Sequence, residues 1–332
     1  MESILDLGIN IISIFQRLGD WLIQLMSVIT FLGSEEFFLL ILPALYWCVD
    51  TSLGVRVGVI LMVNGAINAA LKLVFQGPRP SWYSEQVKAY VAETSFGVPS
   101  GHTQFATGVW GMIAASLKKW WAWLVAVSLI LLIGLSRIFL AAHFPHDVLF
   151  GWAVGALVLW LTLRMWDPVV AWLRRCTLSR QIMLAFVFSI LLALLSLPGY
   201  SCAISAGQPL AEWEANAAHA LPVGVQIDPV TLQEALTNAG AFFGLAAGLA
   251  WLVHVGGFST TGPVEKRILR YVVGVVGVVI IRYGLKAIFP EGDYWLPYLL
   301  RYVRYALIGL WISAGAPALF LSLKLVGGPR SR

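Results

Sequence analysis

Residues 181–211 read QIMLAFVFSILLALLSLPGYSCAISAGQPLA, without a single Asp, Glu, Lys or Arg. The run is longer than the ~20 residues of helix that cross the hydrocarbon core of a bilayer. Two more charge-free stretches, Ala235 to Val264 and Tyr305 to Leu323, repeat the signal. Over all 332 residues, 59% are hydrophobic and 12% charged, about half the charged share of a soluble domain. A soluble globule is excluded, and an all-α, polytopic integral membrane protein is expected.

Hydrophobic runs bounded by charge or turn signals predict nine spans, at residues 35–49, 57–75, 101–116, 120–139, 146–165, 182–198, 240–257, 268–289 and 295–323. Residues 3–32 are apolar on a broad face but interrupted by Asp6, Arg17 and Asp20, which suits an interfacial helix. The expected organisation is an interfacial N-terminal helix (1–33), a five-span core (34–166) and a four-span extension (167–332). The extension carries an outer loop, 199–240, holding Glu212, Glu214, Asp228 and Glu234 but no Lys or Arg. No repeat or low-complexity tract separates domains. The opening Met1-Glu2-Ser3, with Asp6 after it, has no basic n-region, so the chain is expected to insert through its own spans.

Alternating spans place 13 Lys and Arg with three acids on one side: Arg56, Lys118, Lys119, Arg164, Arg174, Arg175, Arg180, Lys266, Arg267, Arg270, Lys324, Arg330 and Arg332. The other side holds nine basic residues and 14 acids. Lys and Arg mark the cytoplasmic side, so the C-terminus is expected in the cytoplasm and the acid-rich face toward periplasm, exterior or organelle lumen. The 15 Trp and ten Tyr suit headgroup-level belts. The net charge of +5 then points to membrane lipids as partners and not to nucleic acid. Cys48, Cys176 and Cys202 lie too far apart for a disulfide framework or a zinc site.

Three segments are expected to emerge on the outer face. Lys72-Leu-Val-Phe-Gln-Gly-Pro-Arg79-Pro80 ends the second span, Pro99-Ser100-Gly101-His102-Thr103 opens the third, and Ser136-Arg137-Ile-Phe-Leu-Ala-Ala-His143-Phe-Pro-His146-Asp147 links the fourth to the fifth. Lys72, Arg79 and Arg137 supply positive charge, and guanidinium forks match the paired oxygens of phosphate. Ser100 and Gly101 sit at a helix start, where unpaired N–H groups and the helix dipole favour an anion. Asp147, four residues after His143, can hold one ring nitrogen and leave the other as a nucleophile. His102 can give a proton to the leaving alcohol and later take one from water.

The pattern of Lys, six residues, Arg-Pro, then Pro-Ser-Gly-His, then Ser-Arg, five residues, His, three residues, Asp resembles the type 2 phosphatidic acid phosphatase (PAP2) superfamily. That superfamily includes lipid phosphate phosphatases, glucose-6-phosphatase and the vanadium haloperoxidases. The resemblance implies a metal-independent phosphatase with no cofactor, a phosphohistidine on His143, His102 as general acid and Asp147 as the partner of His143. It also implies that Lys72, Arg79, Ser100, Gly101 and Arg137 hold the phosphate. The nine-span plan, Ile227-Asp228, Phe243-Gly244-Leu245 and His143-Phe-Pro-His146 are similar to the glucose-6-phosphatase branch.

The leading substrate class is a lipid phosphate or polyprenyl diphosphate that stays partly in the bilayer. A soluble sugar phosphate is the enzymatic alternative, and an anion- or lipid-binding transport protein is the non-enzymatic one. His143, His146 and Asp147 could also ligate a metal from one helix turn, although three cations beside them oppose a divalent ion. His146 is read as a neighbour of the pocket, His254 as a hydrogen-bonded packing residue inside a span and His219 as exposed. Arg282, Lys286, Arg301 and Arg304 are read as interfacial side chains pairing with Glu291 and Asp293, or as a second patch for a lipid headgroup.

Overall fold

The computed structural model describes residues 2–326, and every regular element among them is helical. In chain order these are α1 (Glu2–Gln16), α2 (Trp21–Phe31), α3 (Glu35–Ala44) with a π turn Leu45–Val49, α4 (Thr51–Phe75), α5 (Pro80–Tyr83), α6 (Gly101–Leu117) and α7 (Trp120–Phe139). Then follow α8 (Pro145–Leu173), α9 (Leu178–Leu194), α10 (Leu197–Ser205), α11 (Ala211–Ala220), α12 (Gln233–His254) and α13 (Val264–Val279) with a π turn Ile280–Gly284. The last are α14 (Leu285–Ile288), α15 (Trp295–Leu310) with a π turn Trp311–Gly315, and α16 (Ala316–Ser322). Arg330 and Arg332 lie outside the described residues.

Among the described residues, seven helical stretches are long and apolar enough to cross a membrane: Thr51–Tyr83, Trp120–Phe139, Pro145–Leu173, Leu178–Ser205, Gln233–His254, Val264–Ile288 and Trp295–Ser322. An eighth is reached if α2 and the α3 stretch, bent by 46°, count as one span. The expected nine are not reached, although each of the nine stretches contains helix. The expected first span is half of that bent pair, and the expected third is α6, only 17 residues long. Eleven of those 17 are buried, Thr103, Gln104 and Thr107 among them. A hydropathy pattern does not separate a helix sheathed by protein from one facing lipid. The N-terminal stretch is likewise two helices broken at Gly19, whose φ of 109° suits glycine. His254 is exposed at the end of α12, with no hydrogen bond among the described residues, and not a packed core histidine.

The described chain forms two compact units: one of Met1–Phe38, Ile67–Trp160 and Leu195–Leu232, the other of Leu39–Ala66, Leu161–Leu194 and Gln233–Arg332. In the first unit α6 lies backbone-close to α8. A Cβ at Gly151 would sit 2.6 Å from the Ser100 carbonyl, and one at Gly155 would sit 2.7 Å from the Gln104 carbonyl. Small residues four apart are what lets two apolar helices approach this closely. The contact carries polar bonds as well. Ser100 N–H donates to Asp147 O (3.1 Å), and Thr103 Oγ1 donates to Val148 O (3.4 Å).

The second unit is organised by a backbone defect. Pro317 has no N–H, so it cannot bond the carbonyl four residues back, that of Ser313. Buried Tyr46 donates its OH to that carbonyl at 2.9 Å, and buried Trp47 donates Nε1 to Ile312 O at 2.8 Å. Arg270, assigned by sequence to a cytoplasmic loop, is fully buried in α13. It donates to four carbonyls: Leu325, Trp47, Thr260 and Thr261.

Gly155→Val should drive a methyl against the Gln104 carbonyl and force α6 from α8, at a cost of about 1–3 kcal/mol. Thermal melting of the detergent-solubilised chain tests this, and an unchanged melting temperature would refute the close approach.

Candidate active site

The site belongs to the first compact unit and is assembled from α4, the segments flanking α5, the mouth of α6 and the turn between α7 and α8. Lys72 lies in the last turn of α4 and donates Nζ to Ser95 Oγ at 2.8 Å. Arg79 precedes α5 in extended conformation and is 2% exposed. Its Nε donates to Ser95 O (2.7 Å), its Nη1 to Ala142 O (2.9 Å) and its Nη2 to Ser95 Oγ (3.1 Å). Its Nη1 also lies 3.0 Å from His143 Nε2. A guanidinium can only donate, so Nε2 presents its lone pair and the imidazole proton sits on Nδ1.

That Nδ1 lies 3.5 Å from Asp147 Oδ2, which also accepts the Phe144 N–H at 2.9 Å. The 3.5 Å separation is an ion-pair distance and too long for a strong hydrogen bond. His146 Nε2 reaches Asp147 Oδ1 at 3.2 Å while its ring stacks on Phe144. Asp147 thus lies between two imidazoles, although His143 Nδ1 and Asp147 Oδ1 make no hydrogen bond among the described residues. His143, in the turn between α7 and α8, is buried, and burial pushes its pKa well below the usual histidine value. The charges of Arg79, Arg137 and Lys72 act in the same direction. The imidazole is therefore neutral near pH 7, the form a nucleophile needs.

Arg137, buried near the end of α7, donates Nη1 to Thr30 Oγ1 at 3.0 Å and bonds Glu93 through Nη2. Glu93 also lies 3.4 Å from Arg79 Nη2. Burial alone would raise its pKa, but Arg79 and Arg137, aided by His102 and Lys72, outweigh it and hold the carboxyl well below its ordinary range. Ser100 caps α6, and its buried Oγ has no hydrogen bond among the described residues. A Cβ at Gly101 would lie 3.2 Å from Asn68 Oδ1. The half-buried His102, next along α6, lies within electrostatic reach of Arg137, Glu93, Arg79 and Lys72.

The structure therefore ties Lys72 and Arg79 through Ser95, Arg79 directly to His143, Arg79 to Arg137 through Glu93, and Ser100 to Asp147 through the backbone. The sequence reading missed Glu93, Ser95 and Thr30. One of only two acids, Glu85 and Glu93, between Arg79 and Arg137, Glu93 had that as its available signal, whereas Thr30 in an N-terminal apolar helix offered none. The outer loop also contributes: Asp228 N–H donates to Thr94 O (3.1 Å), and Asn216 Nδ2 to Trp82 O (2.9 Å). Among the described residues no group of three or more His, Cys, Asp or Glu is arranged to hold a metal ion.

Protonating His143 is unfavourable in the folded chain, whereas an unfolded histidine binds its proton below pH ~6.5. The unfolded state then holds more protons, so stability contributed by neutral His143 is present above ~6.5 and falls as pH drops toward the lower folded value. Melting temperature should decline from pH 7 to pH 5 more steeply for wild type than for His143→Gln. Equal slopes would contradict the assignment.

Residues 53–171 match the PAP2 superfamily, and residues 236–329 match the transmembrane extension of PAP2 superfamily phosphatases. The chain is 34% identical to glucose-6-phosphatase 3 of Homo sapiens over 186 residues, 48% of this chain and 54% of that protein. It thus spans about half the length of that relative. It is 30% identical to phosphatidylglycerophosphatase B of Bacillus subtilis over 154 residues, 42% of this chain and 73% of that protein. The crystal structure of a transmembrane PAP2-type phosphatidylglycerolphosphate phosphatase from Bacillus subtilis overlays with a TM-score of 0.45 at 24% identity, covering 51% of this chain and 89% of that one. With both its motif-bearing segment and its C-terminal helices matched, the chain belongs to the PAP2 superfamily and carries that superfamily's transmembrane extension.

Proposed function

We propose that this chain is a membrane phosphatase that removes phosphate from its substrate through a phosphohistidine on His143. The observation that carries the reading is the setting of one imidazole, with Nε2 3.0 Å from Arg79 and Nδ1 3.5 Å from Asp147. Phosphate entering the cradle takes the Arg79 and Arg137 forks onto its oxygens, and Nε2 attacks phosphorus. As the N–P bond forms, the P–O bond to the alcohol breaks and His102 gives the alkoxide its proton. Water then attacks the phosphohistidine, His102 takes its proton, and the N–P bond breaks to release inorganic phosphate. Asp147 holds the imidazolium charge that develops on His143.

The first substrate class is a lipid phosphate or polyprenyl diphosphate, processed at the extracytoplasmic face. It is supported by the membrane setting and by the likeness to phosphatidylglycerophosphatase B. A soluble sugar phosphate is the second reading, favoured by the likeness to glucose-6-phosphatase 3. Phosphate release should persist in chelator, and a panel of phosphatidic acid, sphingosine 1-phosphate, undecaprenyl diphosphate and glucose 6-phosphate separates the two classes. His143→Ala should abolish turnover, and His102→Ala should lower kcat by ~10²–10⁴. The rate should be bell-shaped in pH, because His143 acts neutral and His102 protonated. Loss of activity in chelator, or full activity in His143→Ala, would refute the mechanism.

Glu93 holds both guanidiniums that the phosphate would use, so it competes with the substrate for them. Glu93→Gln removes the like charge and loosens both forks, and inorganic phosphate should then inhibit about tenfold more strongly. Product-inhibition constants measured side by side check this, and weaker inhibition in the variant would show that Glu93 assists binding.

A further inference from the structure

The transmembrane extension contains a cavity of about 340 Å³, built by the start of α12, by α14, by the loop after it and by one face of α15. It lies wholly in the second compact unit and shares no residue with the catalytic cradle. Pro297, Arg301 and Arg304 line it at helical spacing, so it extends about two turns, ~10 Å, along α15. Side chains lean toward the N-terminus of their helix, which directs Arg304 back toward the mouth.

The polar groups of the wall are engaged with one another, with one exception. Arg301 donates to Thr237 Oγ1 (3.2 Å) and bonds Gln233. Gln233 Nε2 and Tyr298 OH donate to Asp293 Oδ1 at 3.0 and 3.1 Å. Lys286 pairs with Glu291 at 3.5 Å, one of the pairs the sequence leads one to expect for this cluster. Glu291 and Asp293 also line the cavity but are engaged by Lys286 and by Gln233 and Tyr298, whereas Arg304 is 7% exposed and its Nε is buried without a hydrogen bond among the described residues. The Tyr305 ring lies 5.3 Å from its guanidinium carbon.

Charges are almost never buried without a counter-charge, because desolvation is costly. A guanidinium fork set deep in a cavity, with a second arginine one turn away and a lysine at the rim, has the shape and charge to take a phosphate. The volume falls at the lower end of the ~300–1,000 Å³ of ligand pockets, enough for a headgroup. Trp295, Tyr294 and Ile288 stand exposed beside it, as expected of residues at headgroup level. We infer that this cavity is a second, non-catalytic binding site for a phosphate-bearing anion, read by Arg304, and that the extension therefore holds a ligand of its own.

The test is equilibrium dialysis of the full-length chain, carrying His143→Ala throughout so that the lipid is not hydrolysed, in a phosphate-free detergent, against labelled inorganic phosphate and against dihexanoyl phosphatidic acid. With Arg304 intact the chain should bind two equivalents, and with Arg304→Gln one. In an Arg79→Gln background, which weakens the catalytic cradle, Arg304→Gln should lower the remaining affinity at least tenfold, while Arg304→Lys should retain part of it. Lys286→Gln, on the exposed rim where folding is not at stake, should weaken binding severalfold. Arg304-dependent binding of the short-chain lipid at least tenfold tighter than of phosphate assigns a lipid headgroup, and equal affinity assigns free phosphate. Unchanged stoichiometry in folded Arg304→Gln, or unchanged affinity in Lys286→Gln, overturns the site. Binding is read without turnover, so such a failure leaves the phosphatase reading standing.

Discussion

The Ser100 N–H donates to the Asp147 carbonyl at 3.1 Å, and on this bond and the glycine contact behind it the rest of the site depends. Ser100 opens α6 and Asp147 sits in the first turn of α8, so one hydrogen bond fixes the mouths of two helices far apart in sequence. The bond forms because Gly151 and Gly155 carry no side chain, leaving α8 backbone against α6 backbone. Ser100, Gly101 and His102 ride on one of these helices and Asp147 on the other. His143 lies two residues before α8 and inherits its position. Reacting groups held this way need not be ordered at each turnover, which is how positional catalysis lowers a barrier.

Charge burial is the second constraint. Arg79 and Arg137 are almost wholly removed from solvent, and neither could remain so without compensation. Arg79 is held by the Ser95 and Ala142 carbonyls and Arg137 by Thr30, while Glu93 lies across both. These contacts position the guanidiniums without neutralising the whole cradle, where Lys72 adds a third positive charge. Burial first, and this surplus positive charge second, push the His143 pKa down, and the same charge is what a phosphate dianion would meet. In the proposed mechanism the same cations help prepare the nucleophile and receive the electrophile.

Much of this was legible in the residues. Lys72, Arg79, Ser100, Gly101, His102, Arg137, His143 and Asp147 are uncommon types at the ends of apolar runs, and their order along the chain implied one face. Glu93 and Ser95 were not legible, because they lie in an aperiodic loop and gain meaning only when long-range folding places them beside Arg79. Thr30 was hidden for the same reason inside an apolar helix. The count of nine is not confirmed, because α6 is only 17 residues long and its hydropathy reports burial without saying whether lipid or protein does the burying. Arg270 was misplaced because a charge near a loop ordinarily marks solvent, whereas here four backbone carbonyls replace it.

Three buried arginines illustrate three solutions to one electrostatic problem. Arg270 is satisfied by carbonyl dipoles, an arrangement with no charge to exchange and therefore suited to fixing the chain. Arg137 is satisfied by Thr30 and a carboxylate, and a carboxylate is an anion that another anion can displace. Among the described residues Arg304 makes no hydrogen bond to a carbonyl and no ion pair with a carboxylate, and it lies over an aromatic face, whose attraction for a cation is about 0.5–2 kcal/mol. That is small beside the several kcal/mol of desolvating an ion. The ordering follows from the partners alone. The arginine bonded to carbonyls is suited to a structural role, the one paired with a carboxylate to the proposed reaction, and the one over an aromatic ring to the proposed ligand.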